Sequence, residues 1–210
     1  MTRKAEPFPH DYAATIELFE KLSPHVSFDI IPSGTRLYPF KDGISYCYLI
    51  RSGICGFHHS ADEILISILR VPGIVGIGGI VDAEGGIFIQ TQSEAEIATL
   101  TLSEARQLVS RLNLWELLSR HIFRATHRLF TLGTYLAAPS AYEVLRFQLI
   151  ELMGEPAQFR ERISASQYIQ QKTHLSRSSI MKILAQLKQG GYVKLEDGVL
   201  KEIYHLPLKY

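Results

Sequence analysis

Arg177, Ser178, Ser179 and Lys182 lie within a segment, Leu175 to Lys188, whose apolar residues Ile180, Ile183, Leu184 and Leu187 recur at i, i+3, i+4 and i+7. That spacing predicts a helix with one buried stripe, so Arg177, Ser178, Ser179, Met181 and Lys182 face solvent on the other side. Their chemistry is recognition, not bond breaking. A guanidinium fork matches the two acceptors of a guanine edge, while hydroxyls and an ammonium contact bases or phosphate oxygens. Ser176 is expected to cap this helix, and the uncapped N–H groups of its first turn attract phosphate as well.

Such a helix must be held by others. Upstream, Ser164 can cap a shorter helix whose apolar positions Ala165, Tyr168 and Ile169 face a core, and a short turn joins the two. Downstream, Gly190-Gly191 leads into two short strand patterns separated by Asp197-Gly198, a strong hairpin signal. Helix, turn, helix and hairpin together predict a winged helix-turn-helix from Ser164 to Lys201, with Ser176, Arg177, Ser178, Ser179, Lys182, Lys188 and Lys194 as its DNA contacts. The bland reading is two core helices with a solvated polar face, in a scaffold or interaction protein that never touches DNA.

The rest of the chain divides by period. Tyr12 to Leu22 reads as a short helix ended by Ser23-Pro24. From Val26 to Leu100, short runs of β-branched and aromatic residues alternate with turn signals such as Pro32-Ser33-Gly34, Lys41-Asp42-Gly43, Ser52-Gly53 and Val71-Pro72-Gly73, predicting a compact β-roll. After Ser103 the period is helical, and one long helix is expected over about residues 104–137. Within it Trp115, Leu118, Ile122, Ala125, Leu129, Leu132 and Leu136 follow each other at intervals of 3 and 4. A 3.5-residue repeat of this length is a coiled-coil seam, expected to pair with the same helix of a second copy; the alternative is packing on the β-domain. Ala138-Pro139-Ser140 then breaks the helix, so the domains are set at 1–137 and 138–210. The fold class is α+β.

Composition narrows the function classes. With 46% apolar and 20% charged residues the chain is of ordinary globular type. Residues 1–155 hold 13 Lys/Arg against 17 Asp/Glu, whereas residues 156–210 hold 9 against 4, a basic quarter on an acidic body. The two cysteines, Cys47 and Cys55, lack metal-ligand spacing. No paired-carboxylate or Ser/His/Asp constellation appears, so the chain is not expected to be an enzyme. Its N-terminus lacks the apolar run of a signal peptide, and Ile64 to Val81 is interrupted by Arg70, Pro72 and four glycines, so a cytoplasmic protein without a membrane span is expected.

This order of parts resembles the CRP/FNR superfamily of transcriptional regulators over nearly the whole chain. Leu175-Ser176-Arg177-Ser178-Ser179-Ile180-Met181-Lys182-Ile183-Leu184 looks like the family's recognition helix, with Arg177 in the place of its guanine-reading arginine and Ser178 where many members carry glutamate. Tyr46 to Gly53 resembles the recurring β-roll strand. The resemblance implies a homodimer on double-stranded DNA. It also implies that cyclic nucleotide is not the effector. The family's ribose-binding Gly-Glu-Leu aligns with Gly76-Ile77-Gly78, and its phosphate-binding Arg-Ser with Gly85-Gly86, so the buried phosphate would lack a counter-charge. Haem-type sensing would rest on His58, His59 or a cysteine. In place of the lost motif, Ile74, Val75, Ile77, Ile80, Ile87, Phe88 and Ile89 are expected either to line a cavity for an apolar, fatty-acid-like effector or simply to fill a core. Within the superfamily the Gly-rich apolar segment and the lost nucleotide motif look similar to regulators described as inhibitors of hydrogen peroxide resistance, a resemblance that would imply control of oxidative-stress genes.

Overall fold

Residues 12–79, 86–136 and 140–207 are described by a computed structural model, with side chains outside 128–136. Packing divides the chain between Arg128 and Leu129, inside a helix and upstream of the boundary expected at residue 138.

In the first unit the turn signals fall at strand ends. After helix α1 (Ala13–Leu22) come β1 (Asp29–Ile31), β2 (Arg36–Leu37), β3 (Phe40–Lys41), β4 (Ile44–Ser52), β5 (Cys55–His59), β6 (Leu65–Ile68), β7 (Gly73–Val75), β8 (Ile87–Thr91) and β9 (Ala95–Thr101). One antiparallel sheet runs β1-β9-β4-β3, with β7 also paired to β4, and a second runs β2-β8-β5-β6. Four consecutive residues of β4, Cys47 to Ile50, are buried because the strand has a core on each face. Cys47 and Leu49, with Ile74, Ile77 and Ala98, pack against Leu18, Phe19 and Leu22 of α1 and the helices that follow. Tyr48 and Ile50, with Ile97, pack on Cys55 and Ile89 of the second sheet.

Gly76 makes the close return after β7 feasible. Its φ is +89°, and a Cβ there would stand 2.1 Å from the Tyr46 carbonyl oxygen, so a larger residue would force the backbone of β4 away.

The expected single helix from residue 104 is two. α2 (Leu102–Arg111) opens on a capping box in which the Thr101 hydroxyl accepts from the Glu104 N–H and the Glu104 carboxylate accepts from the Thr101 N–H. It closes at Leu112, Asn113 turns the chain at φ +54°, and α3 (Trp115–Leu136) begins afresh. Asparagine tolerates this left-handed conformation better than most side chains, so it can end a helix without glycine. Among the described residues no helix is long and apolar enough to cross a membrane.

His121 of α3 is buried, with its Nδ1 3.0 Å from the Thr15 hydroxyl of α1. Burial, aided by the nearby Arg124 guanidinium, pushes its pKa down to about 4 from an ordinary 6.5. Between those values the unfolded chain binds a proton that the folded chain does not, so stability is complete above about pH 6.5 and falls as pH drops through that window. The loss is roughly 3 kcal/mol. Urea midpoints measured from neutral pH down to about pH 4 should therefore fall more steeply for the native chain than for His121→Gln. Parallel profiles would rule out this origin of acid lability.

The second unit holds α4 (Ala141–Gly154), capped by Ser140, a single turn α5 (Ala157–Arg160), α6 (Ala165–Lys172), α7 (Arg177–Gln189), β10 (Val193–Glu196) and β11 (Val199–Ile203). Its core draws Leu145, Leu149 and Leu152 from α4, Tyr168 and Ile169 from α6, Ile180, Leu184 and Leu187 from α7, and Val193 and Leu200 from the hairpin.

Candidate nucleic-acid interface

The helix-turn-helix forms where the caps and apolar spacing place it. The Ser164 hydroxyl accepts from the Gln167 N–H at 3.2 Å to start α6, and the Ser176 hydroxyl accepts from the Ser179 N–H at 3.2 Å to start α7. In the turn between them the Thr173 hydroxyl donates to the Ile169 carbonyl at 2.8 Å and accepts from the Leu175 N–H at 3.3 Å. Asp197 and Gly198 both take positive φ, 48° and 81°, as the two-residue hairpin turn requires. The Gly198 carbonyl accepts from the Ala165 N–H at 2.8 Å, which ties the tip of the β10–β11 hairpin to the start of α6.

α7 buries Ile180, Leu184 and Leu187 and leaves Arg177, Ser178, Met181, Lys182, Ala185 and Lys188 exposed. At about 3.6 residues per turn, Ser178 and Ala185 centre the exposed face, with Met181 and Lys182 flanking it. Arg177 stands at its N-terminal edge and Lys188 near its far end, both exposed. Ser179 is half-buried, and Ser176 is occupied by its capping bond and by the hydroxyls of Ser178 and Ser179 at 3.0 and 2.9 Å. Arg177, Ser178 and Lys182 are thus the polar residues best placed to meet bases. From Arg162 to Leu195 the sequence has no acidic residue, so α6, the turn and α7 themselves carry no carboxylate to repel phosphate.

Two cations of the basic C-terminal quarter are paired with carboxylates, one exposed on the hairpin and one buried. Lys194 pairs with Glu196 at 2.9 Å, which holds the carboxylate below and the ammonium above their usual ranges. With Glu196, Asp197 and Glu202 against Lys194 and Lys201, the hairpin is acidic. Lys172, part of the basic excess of the C-terminal quarter, is buried: its Nζ donates to Glu151 at 2.5 Å and to the Tyr168 hydroxyl at 3.2 Å. Sequence reasoning missed this network, whose one visible signal is a lysine four residues after a core tyrosine, on the same helix face.

The other expected sites are dispersed. Ile74 and Ile77 belong to the core against the helices, Ile89 to the core between the sheets with Val75 beside it, and Phe88 is stacked on His58 at 5.0 Å. Ile87 is half-buried, and the six described residues do not share one core; Ile80 lies outside the described residues. His58 is buried, its Nδ1–H donating to the Glu63 carbonyl at 3.1 Å, and desolvation lowers its pKa; His59 pairs with Asp62 at 2.8 Å. Cys47 and Cys55 are buried, with thiol pKa values pushed up to about 12 and about 11. On α3, Leu118 is spent in the core, Ile122 and Ala125 are half-buried, and Trp115 is exposed, as is Phe123 outside the expected seam. The side chains of Leu129, Leu132 and Leu136 lie outside the described residues.

A β-roll in one unit and a winged helix-turn-helix in the other define a protein of CRP/FNR-type fold. Residues 141–208 match the family model described as winged helix-turn-helix DNA binding. The chain is 26% identical over 167 residues to the inhibitor of hydrogen peroxide resistance of Salmonella typhimurium, covering 79% of this chain and 80% of that one. Among solved structures it is similar to the c-di-GMP responsive global regulator CLP of Xanthomonas campestris, at TM-score 0.65 and 18% identity over 91% of this chain and 100% of that one. A transcriptional regulator of the crp/fnr family from Eubacterium rectale matches at TM-score 0.57 and 13% identity, over 94% of each chain.

Proposed function

We propose that the chain is a sequence-specific DNA-binding transcriptional regulator that reads a half-site with α7 and acts as a homodimer through α3. The observation that carries this reading is the exposed Arg177, Ser178 and Lys182 face on a capped helix, in a stretch free of acidic residues. A helix of this kind fits the major groove, where a bidentate arginine discriminates guanine. Exposed Trp115 and Phe123 on α3 support a second copy as partner, since large apolar side chains left open on one helix favour association. The name of the Salmonella relative makes peroxide-response genes the first targets to examine.

The test is selection of binding sites from random and genomic DNA by the purified chain, with its mass followed by sedimentation. The expected outcome is a dimer that enriches an inverted repeat with half-sites about one helical turn apart. Enrichment of no sequence above background, at low and at physiological salt and with cell extract added, overturns the reading.

A further inference from the structure

The face of α7 that is turned outward carries one long apolar side chain. Met181 is 50% exposed, one turn beyond Arg177 and Ser178, beside Lys182 and one turn before exposed Ala185. Packing does not require it there: the core side of α7 is filled by Ile180, Leu184 and Leu187. In the major groove an apolar side chain finds one base feature that differs between pairs, the C5 methyl of thymine. Against guanine, cytosine or adenine the same side chain would cover a donor or acceptor and leave it unpaired. The thioether chain is unbranched and flexible enough to lie along such a methyl, and Ala185 beyond it leaves room for close approach.

Resting on the DNA-reading role proposed above, we propose that Met181 is a specificity-determining residue that selects thymine by its methyl group. Met181 lies four positions after Arg177, about 6 Å along the helix axis, which places its thymine within about two base pairs of the guanine read by the arginine.

The experiment replaces each thymine of the selected half-site in turn with deoxyuridine, which removes the methyl and leaves every hydrogen-bonding group. The native chain should lose about four-fold in affinity at one such position, the effect of uncovering a single methyl-sized group. Met181→Ala should bind thymine and uracil equally there, and Met181→Leu should keep the discrimination. Because the position is exposed, thermal unfolding of both variants should match the native chain. Discrimination unchanged in Met181→Ala, no sensitivity to deoxyuridine at any position, or a half-site without thymine near the guanine would each overturn the assignment. If Arg177→Ala still weakens binding in those cases, the DNA-reading role stands and only the role of Met181 is lost.

Discussion

Replacing Glu151 by alanine is expected to lower the stability of the winged unit by about 3–5 kcal/mol, because it leaves the Lys172 ammonium buried without its counter-charge. Both side chains are 2% exposed and meet at 2.5 Å. The Tyr168 hydroxyl, which also receives a bond from Lys172, bonds Glu155 at 3.3 Å and cannot substitute for a carboxylate in contact. An intact buried pair roughly offsets its own desolvation, so the double substitution Glu151→Leu with Lys172→Met should recover most of the lost stability. Urea unfolding of the four members of this cycle measures both quantities. A loss of only about 1 kcal/mol in Glu151→Ala would mean that water or Glu155 compensates the lysine. Since Lys172 is the last residue of α6, the same cycle reports how firmly the network holds the helix that precedes the turn into α7.

Arg177→Ala should weaken binding to the selected operator by about 1–3 kcal/mol, from about five-fold to more than one hundred-fold, with no comparable change on random DNA. Arg177 is exposed at the first turn of α7 and contributes nothing to the core, so stability should stay within about 0.5 kcal/mol of the native chain. Arg177→Lys keeps the charge and loses the fork. It should leave affinity for random DNA at the native level and still lack the preference for guanine. Titration of labelled operator and of a scrambled duplex at one salt concentration separates these terms. Equal operator affinity in the native chain and in Arg177→Ala would remove the arginine from base reading.

The winged unit was the most legible part of the sequence because its determinants are local. Ser164, Ser176 and Asp197-Gly198 act on backbone groups within three residues, and the apolar stripe of α7 is read directly from spacing. The strand ends of the first unit were legible for the same reason. What escaped depends on residues distant in sequence. The interval pattern on α3 does not tell that Leu118 is consumed by the core while Phe123 is left outside, since that depends on where α1 and the first sheet lie. An apolar run through β7 and β8 looks like one lining, yet successive residues of a strand face opposite ways and so enter different cores. Lysines look alike in sequence, and only the fold tells that Lys172 faces inward and that Lys194 meets Glu196.

The pairing of Lys194 with Glu196 on the hairpin has an expected consequence for how the proposed DNA complex responds to ionic strength. Counterions leave DNA only as unpaired cations arrive, at a slope of about −0.9 in log affinity against log salt per phosphate neutralised. With Lys182 and Lys188 on phosphates in each head of the proposed dimer, the expected slope is about −4, so doubling the salt should lower affinity about twelve-fold. Adding an unpaired lysine from each hairpin would steepen that to about forty-fold. On the DNA-reading role proposed above, the ion pair of Lys194 with Glu196 is expected to make affinity fall less steeply with added salt than an unpaired lysine there would.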